Sequence, residues 1–172
     1  TEVVAYWGFG TFVPLSPVEQ PTPALQFVEV IDPNVPAGYR CWDAMLNTSS
    51  NVAIVEMIMN RNSAGDVYQH PFGMKIQSDP AVYPGVPELE FDTYVTVGAW
   101  SYPTPTIIFH GAMDLQESAM KVFDNQNLNI SWSPGGNFSG AGNFQVARIT
   151  LAAGASGTWE MAGWETGTPD PS

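Results

Sequence analysis

The chain has 172 residues, and its five Lys and Arg against seventeen Asp and Glu give a formal net charge of −12 at pH 7. A chain this acidic cannot neutralise phosphates and is repelled by anionic lipids, which excludes nucleic-acid binding from the expected functions. Membrane insertion is not expected either, because no apolar run approaches the roughly 20 residues that span a bilayer. Sixteen Gly and fifteen Pro interrupt a sequence that is 44% hydrophobic, and this composition predicts one all-β domain.

The first predicted element is an extended apolar segment over residues 1–15. Its bulky apolar residues fall at odd positions, which is the period-two pattern of a strand. The residues that would form a subunit interface are Val3, Ala5, Trp7, Phe9 and Val13. This segment predicts either a strand donated to a neighbouring subunit or the first strand of the chain's own sheet.

The rest of the chain divides into a connector, a main domain and a tail. A cluster of prolines predicts an irregular connector over 16–23, followed by a β-sandwich domain over 24–165 and a tail over 166–172. Thr1 is followed directly by apolar residues, and we interpret it as a mature terminus left after removal of a signal peptide. The protein is therefore expected outside the cell or at the cell surface.

Ten strands are predicted within the main domain, and they favour a two-sheet antiparallel β-sandwich or jelly roll. The candidates are 26–31, 39–46, 51–59, 67–70, 89–97, 106–110, 120–123, 128–132, 143–151 and 157–163. The most regular alternation of apolar and polar residues lies in 89–97. The run 51–59 is apolar on both faces, which predicts a central strand or a short buried helix.

Three carboxylates in this region suggest a binding site. Glu88, Glu90 and Asp92 are spaced by two residues, so a strand would project them from one face of its sheet. They are candidate calcium ligands, or the wall of a sugar cleft, and a solvated polar face is the alternative. We favour the solvated polar face and expect no cofactor, with calcium as the alternative at these residues.

No constellation of residues predicts an enzyme. His70 and His110 are the two histidines, and neither lies in a metal-ligand spacing. No Gly-x-Ser-x-Gly elbow is present, and Cys41 lies in an apolar strand candidate where a small buried residue is expected. Only a carboxylate pair brought together by folding would change this expectation.

The six Trp residues suggest a sugar-stacking surface. Trp100 and Tyr102, after a predicted strand, form the candidate ligand platform, so an extracellular carbohydrate- or ligand-binding module with a glycan partner is the alternative function. Asn47, Asn129 and Asn137 begin Asn-x-Ser/Thr sequons and are candidate glycosylation sites if the source organism glycosylates exported proteins.

Four segments between residues 51 and 159 support a resemblance to known proteins. In order, they are VYQHPFG (67–73), PELEFDTYVT (87–96), FQVARITL (144–151) and ASGTW (155–159). Through them the chain resembles a group of secreted bacterial β-domain proteins that often end in a PEP-CTERM-type sorting tail. The N-terminal third has no counterpart in that group, and the sorting tail is not seen in this sequence. The resemblance implies export and a β-fold but no reaction.

These features predict a non-enzymatic extracellular structural protein. We expect it to be a subunit of a surface or filamentous assembly whose partners are further copies of itself, joined by donation of the N-terminal strand.

Overall fold

The structure, a computed structural model, describes residues 2–13, 16–17, 25–48, 51–96, 107–110, 122–134 and 142–166. Within these residues the chain forms strands and two 3-10 helices, Pro80–Val82 and Pro87–Phe91, which confirms the all-β prediction. The strands are β1 (Glu2–Val13), β2 (Ser16–Pro17), β3 (Leu25–Val30), β4 (Tyr39–Thr48), β5 (Asn51–Arg61), β6 (Tyr94–Val95), β7 (Ile107–His110), β8 (Val122–Phe123), β9 (Asn127–Pro134), β10 (Gly142–Ala152) and β11 (Gly157–Thr166). None of the helices in these ranges is long and apolar enough to span a membrane.

The strands form two antiparallel sheets that share one hydrophobic cluster, so the predicted two-sheet β-sandwich is confirmed. Sheet A has the strand order β2-β1-β11-β5-β9-β7, with β8 also paired to β9. Sheet B has the order β3-β4-β10-β6. The first and last long strands of the chain, β1 and β11, are therefore neighbours in sheet A.

Large aromatic side chains connect the two sheets across the core. The ring of Phe27 on β3 meets Trp159 on β11 edge-on, with centroids 4.9 Å apart. Trp132 on β9 is fully buried, and its Nε1 donates to the carbonyl oxygen of Thr96 at 2.8 Å. Each such side chain contributes about 2–3 kcal/mol through burial, so these contacts hold the sheets together.

The run 51–59 is a strand, and the helix alternative is wrong. It forms most of β5, which lies between β11 and β9 in sheet A. Met57 and Met59 on one face of β5 belong to the core cluster. Ile54 and Glu56 lie an odd number of residues away, and therefore on the opposite face, yet they are also buried. A strand covered on both faces has no polar alternation, which explains the ambiguous pattern.

The prediction of a strand over 89–97 is wrong for most of its length. Pro87–Phe91 forms a 3-10 helix, and only Tyr94–Val95 pairs as a strand. Proline has no N–H for a sheet, and its fixed φ suits the first turn of a helix, so Pro87 favours the helical start. The apolar residues of this helix, Leu89 and Phe91, are both buried. Their spacing of two is the same as the spacing of buried residues on a strand.

The prediction of a strand over 67–70 is also wrong, because this segment contributes only an isolated bridge between Val67 and Leu151. The other predicted strands coincide with β3, β4, β7, β8, β9, β10 and β11. In the predicted connector, Ser16–Pro17 forms β2, and residues 18–23 lie outside the described ranges. Of the predicted tail only Thr166 is described, as the last residue of β11.

Candidate assembly interface

The N-terminal strand pairs with the last strand of its own chain. β1 runs antiparallel to β11, with residues 2–12 paired to residues 157–166. The register shifts between Tyr6 and Gly8, which marks a β-bulge. Gly8 has a φ of 142°, a conformation that residues with a Cβ rarely adopt, so glycine supports the bulge.

The bulge divides the candidate interface residues into two groups. Val3 and Ala5 precede it, Trp7 lies within it, and Phe9 and Val13 follow it. Because side chains alternate with a period of two, one inserted residue reverses the alternation beyond it. The register shift therefore falls within the run of candidate interface residues. Glycine within a strand pattern is the sequence signal that marks such a bulge.

β1 also lies near an edge of sheet A. On the side away from β11 it pairs with the short strand β2, through Phe12 with Pro17 and Val13 with Ser16. Within the described ranges, the backbone of residues 2–11 therefore has a strand neighbour on one side. An edge of this kind presents donors and acceptors to which a further strand can be added.

β11 would become the edge of sheet A beside the core if β1 left. Two of its side chains, Trp159 and Met161, belong to the core cluster and are 2% and 0% exposed. Leaving one side of this backbone unpaired next to the core would cost several hydrogen bonds and expose apolar surface. β1 must therefore stay in place or be replaced by an equivalent strand.

At the β6 end of sheet B, the segment 67–76 is fixed by a buried carboxylate. Asp92 is 1% exposed, and its Oδ1 accepts the backbone N–H of His70 at 2.8 Å. Burial raises the pKa of Asp92 from its usual 3.8 to about 6, although backbone N–H groups of His70, Thr93 and Met74 lower it. Asp92 thus anchors the backbone of this segment.

The turn that Asp92 holds displays an aromatic side chain to solvent. Phe72 N–H donates to Nδ1 of His70 at 3.1 Å, and Gly73 N–H donates to the His70 carbonyl oxygen at 2.8 Å. A Cβ at Gly73 would overlap Oδ2 of Asp92, so the turn closes on the carboxylate only with glycine at this position. Phe72 is nevertheless 77% exposed and Met74 47% exposed. Exposed apolar side chains on a fixed turn indicate a contact surface.

We expect Asp92→Asn to remove a pH dependence from the stability of the protein. The native state holds the Asp92 proton more tightly than the unfolded chain does, so this stabilising contribution is complete below about pH 4 and is lost as the pH rises through about 6. The shift corresponds to a loss of at most about 3 kcal/mol in the free energy of unfolding. Urea unfolding between about pH 4 and pH 7 measures this loss.

The matched control is Glu88→Gln, which removes one negative charge from an exposed side chain in the same region. Asp92→Asn should flatten the dependence of unfolding free energy on pH, whereas Glu88→Gln should keep the wild-type slope. Equal slopes in the two variants would contradict the assignment of this pH dependence to Asp92.

An ion pair fastens the second 3-10 helix to sheet B. Arg148 on β10 donates from Nε and Nη2 to the two carboxylate oxygens of Asp43 on β4, at 2.7 and 2.9 Å. Its Nη1 donates to the carbonyl oxygen of Glu90 at 3.0 Å. Burial lowers the pKa of Arg148, but the Asp43 carboxylate and the nearby Tyr94 outweigh burial and raise the pKa overall. Arg148 therefore remains charged.

The predicted projection of three acids from one sheet face is wrong. Glu88 is exposed, Glu90 lies beside Arg148 with Oε1 4.0 Å from Nη1, and Asp92 is buried under the turn. The 3-10 helix, with about three residues per turn, separates residues that a strand would align. In the described part of the chain, no group of three or more His, Cys, Asp or Glu side chains is arranged to hold a metal ion.

The other candidate residues fall into two groups. Trp100, Tyr102 and Asn137 lie outside the described residues. Asn47 on β4 is exposed, and Asn129 on β9 is half-buried. The described sequon with the more accessible side chain is thus the one at Asn47.

A polar row crosses three strands of sheet A. The Ser131 hydroxyl donates to Oε2 of buried Glu56 at 2.9 Å, and His110 lies opposite Ser131 in the register of β7 with β9. Glu56 and Ser131 are also partners in the register of β5 with β9. We therefore assign the Ser131–Glu56 contact to cross-strand pairing of β5 with β9.

Cys41 lies buried on β4, as expected for a small apolar residue in a strand. Burial raises the pKa of its thiol to about 11, so the thiol is protonated at neutral pH and is a poor nucleophile.

No protein-family model matches the chain, and no curated protein or solved structure is significantly similar to it. Its function must therefore be inferred from its own sequence and geometry.

Proposed function

We propose that this protein is a structural subunit of an extracellular assembly whose copies are joined by exchange of strand β1. The observation that carries the proposal is the composition and position of this strand. Glu2 is the one charged residue in β1, in a chain with a net charge of −12, and the strand lies near an edge of sheet A. The resemblance to exported β-domain proteins supports the extracellular location.

Exchange would replace contacts within one chain by the same contacts between two chains. The β1–β11 pairing keeps its hydrogen bonds and buried surface whichever copy supplies β1, so the two forms differ mainly in association entropy and in the strain of the connector. A high local concentration of subunits then favours the exchanged form. This is the energetic basis of strand donation.

The length of chain between β1 and β3 sets the reach of this exchange. Ser16–Pro17 (β2) pairs with β1 and would move with it, so residues 18–24 join the exchanged unit to β3 in sheet B. Fully extended, these residues span at most roughly 25 Å. Donor strand and acceptor strand are different parts of one chain, so each copy can donate to one neighbour and accept from another. Such a contact produces a filament unless the rotation between copies closes a ring.

A cysteine pair across β1 and β11 tests the proposal in the full-length chain. Thr11 and Thr158 are opposite each other in register, so Thr11→Cys with Thr158→Cys should form a disulfide wherever these strands pair. Oxidation of concentrated protein at high salt, which screens repulsion between acidic copies, should yield a covalent ladder on a non-reducing gel.

The matched controls are the two single-cysteine variants, which should give no bands beyond dimer because buried Cys41 is poorly placed to react. A double variant that oxidises only within one chain, at every concentration tested, would contradict strand exchange. Reducing agent should collapse a genuine ladder to monomer.

A further inference from the structure

We infer that copies of this chain also dock onto one another through two complementary patches at opposite edges of sheet B. The turn patch is Phe72, Met74 and Lys75, and the β3 patch is Val28, Ile31 and Asp32. This inference rests on the proposed function, because it needs copies that meet in an assembly, but it uses a surface separate from β1. The partner is a second copy of this chain.

Among the side chains whose exposure the structure describes, exposed apolar surface is concentrated in these two patches. Among the described residues, the strongly exposed large hydrophobic side chains are Val28 (49%), Ile31 (91%), Phe72 (77%), Met74 (47%) and Val82 (42%). All except Val82 belong to one of the two patches. Clustering of exposed apolar side chains is typical of a contact surface, whereas scattered ones are ordinary.

The topology of sheet B places the patches at opposite edges. β3, with Val28, is the first strand of the order β3-β4-β10-β6. Beyond β6, Ile76 bridges Val95, and Val95 N–H donates to the carbonyl oxygen of Lys75 at 2.9 Å. Four strand spacings, roughly 19 Å, therefore separate β3 from the segment that carries the turn patch. The patches cannot meet within one copy, so docking between copies runs head to tail.

The turn patch is rigid enough to serve as an anchor. Asp92 and Gly73 fix the turn, and the ring of Phe72 packs against His70 with centroids 5.6 Å apart. A pre-ordered aromatic side chain loses little entropy on binding, which is why such residues dominate interfaces. The rings of Tyr68, His70 and Phe72 are tilted by 50–56° from one to the next, so they form no flat platform for a sugar.

The charges of the two patches are complementary. Lys75 is exposed, and no ion pair in the described part of the chain includes it. At the β3 patch, Asp32 accepts the backbone N–H of Asn34 at 2.8 Å but has no cation beside it among those ion pairs, while Glu29 is paired with Arg40. In a chain of net charge −12, this cation and this anion favour contact between the turn patch of one copy and the β3 patch of another.

A charge exchange tests this docking in the full-length protein. Self-association is measured by sedimentation velocity over a range of concentrations at low salt, for wild type, Lys75→Glu, Asp32→Lys and the double variant. Each single variant should weaken self-association about tenfold, and the double variant should recover most of that loss because the charges are again opposite. Thermal unfolding shows that each variant is folded.

Apolar contact is tested by Phe72→Ser, with Val82→Ser as the matched control outside both patches. Phe72→Ser should weaken self-association about tenfold, and Val82→Ser should leave it unchanged. A double charge variant that stays as weak as the singles would overturn the docking model. Glycan-array binding that is lost in Phe72→Ser, without a change in self-association, would also overturn it and assign the turn to a sugar.

The two modes of assembly fail separately. A disulfide ladder from the Thr11/Thr158 cysteine pair together with no effect of the charge variants would refute edge docking and leave strand exchange intact. Charge-dependent self-association without a ladder would refute strand exchange and leave edge docking intact.

Discussion

Replacing Arg148 with Met should lower the free energy of unfolding by about 3 kcal/mol. The Arg148 and Asp43 side chains are 12% and 19% exposed, so the substitution would leave the Asp43 carboxylate largely desolvated without its cation. It would also remove the hydrogen bond that holds the Glu90 carbonyl oxygen. Chemical denaturation at neutral pH measures the loss.

The double variant Asp43→Asn/Arg148→Met separates the ion pair from the packing of the arginine stem. With both charges removed, no uncompensated carboxylate is buried, so the double variant should be more stable than Arg148→Met alone by more than about 1 kcal/mol. Strictly additive losses would show that Arg148 contributes through packing only. In that case the ion pair would not be what holds the 3-10 helix on sheet B.

Gly157→Ala should lower the free energy of unfolding by at least about 3 kcal/mol. Gly157 begins β11, where this strand pairs with β1. Gly157 has a φ of 153°, and a Cβ there would overlap the backbone carbonyl oxygen of Asn60. It lies opposite Phe12 on β1 and Arg61 on β5. Because backbone atoms on both sides are fixed by the sheet, neither neighbour can move away cheaply.

Two other glycines provide controls for this substitution. Gly154→Ala places a Cβ in open space and should change stability by less than about 0.5 kcal/mol. Gly38→Ala also meets no atoms, but its φ of 84° adds backbone strain of about 1 kcal/mol. Thermal denaturation should show the smallest loss of stability for Gly154→Ala, a larger loss for Gly38→Ala and the largest loss for Gly157→Ala. Similar melting temperatures for Gly157→Ala and Gly38→Ala would contradict the steric argument.

The period-two alternation of apolar and polar residues predicted the strands that have one buried and one exposed face. β3 alternates between buried Leu25 and Phe27 and exposed Gln26 and Val28, and its predicted range is nearly the observed one. Turn residues between the apolar runs indicated where the strands end, and the number of short strands favoured a sandwich. These are local properties, which is why they can be inferred without knowing the contacts of the chain.

The predicted strand over 89–97 illustrates where local inference fails. A spacing of two places residues on one face only if the backbone is extended, and Pro87 together with the hydrogen bond from Arg148 to Glu90 favours a 3-10 helix instead. Arg148 lies 58 residues away along the chain. No pattern within 89–97 signals that contact, so neither the helix nor the burial of Asp92 can be inferred from the segment itself.

The sequence by itself determined the all-β class, the extended N-terminal strand and the acidic surface, because alternation, turn residues and charge are properties of neighbouring residues. Only the tertiary structure decided that β1 pairs with β11, that Asp92 is buried beneath an exposed turn, and that Phe72 and Val28 lie at opposite edges of sheet B. Each of these depends on contacts between residues far apart in the chain. The order of strands within a sheet, rather than the pattern within any strand, brings such residues together or keeps them apart.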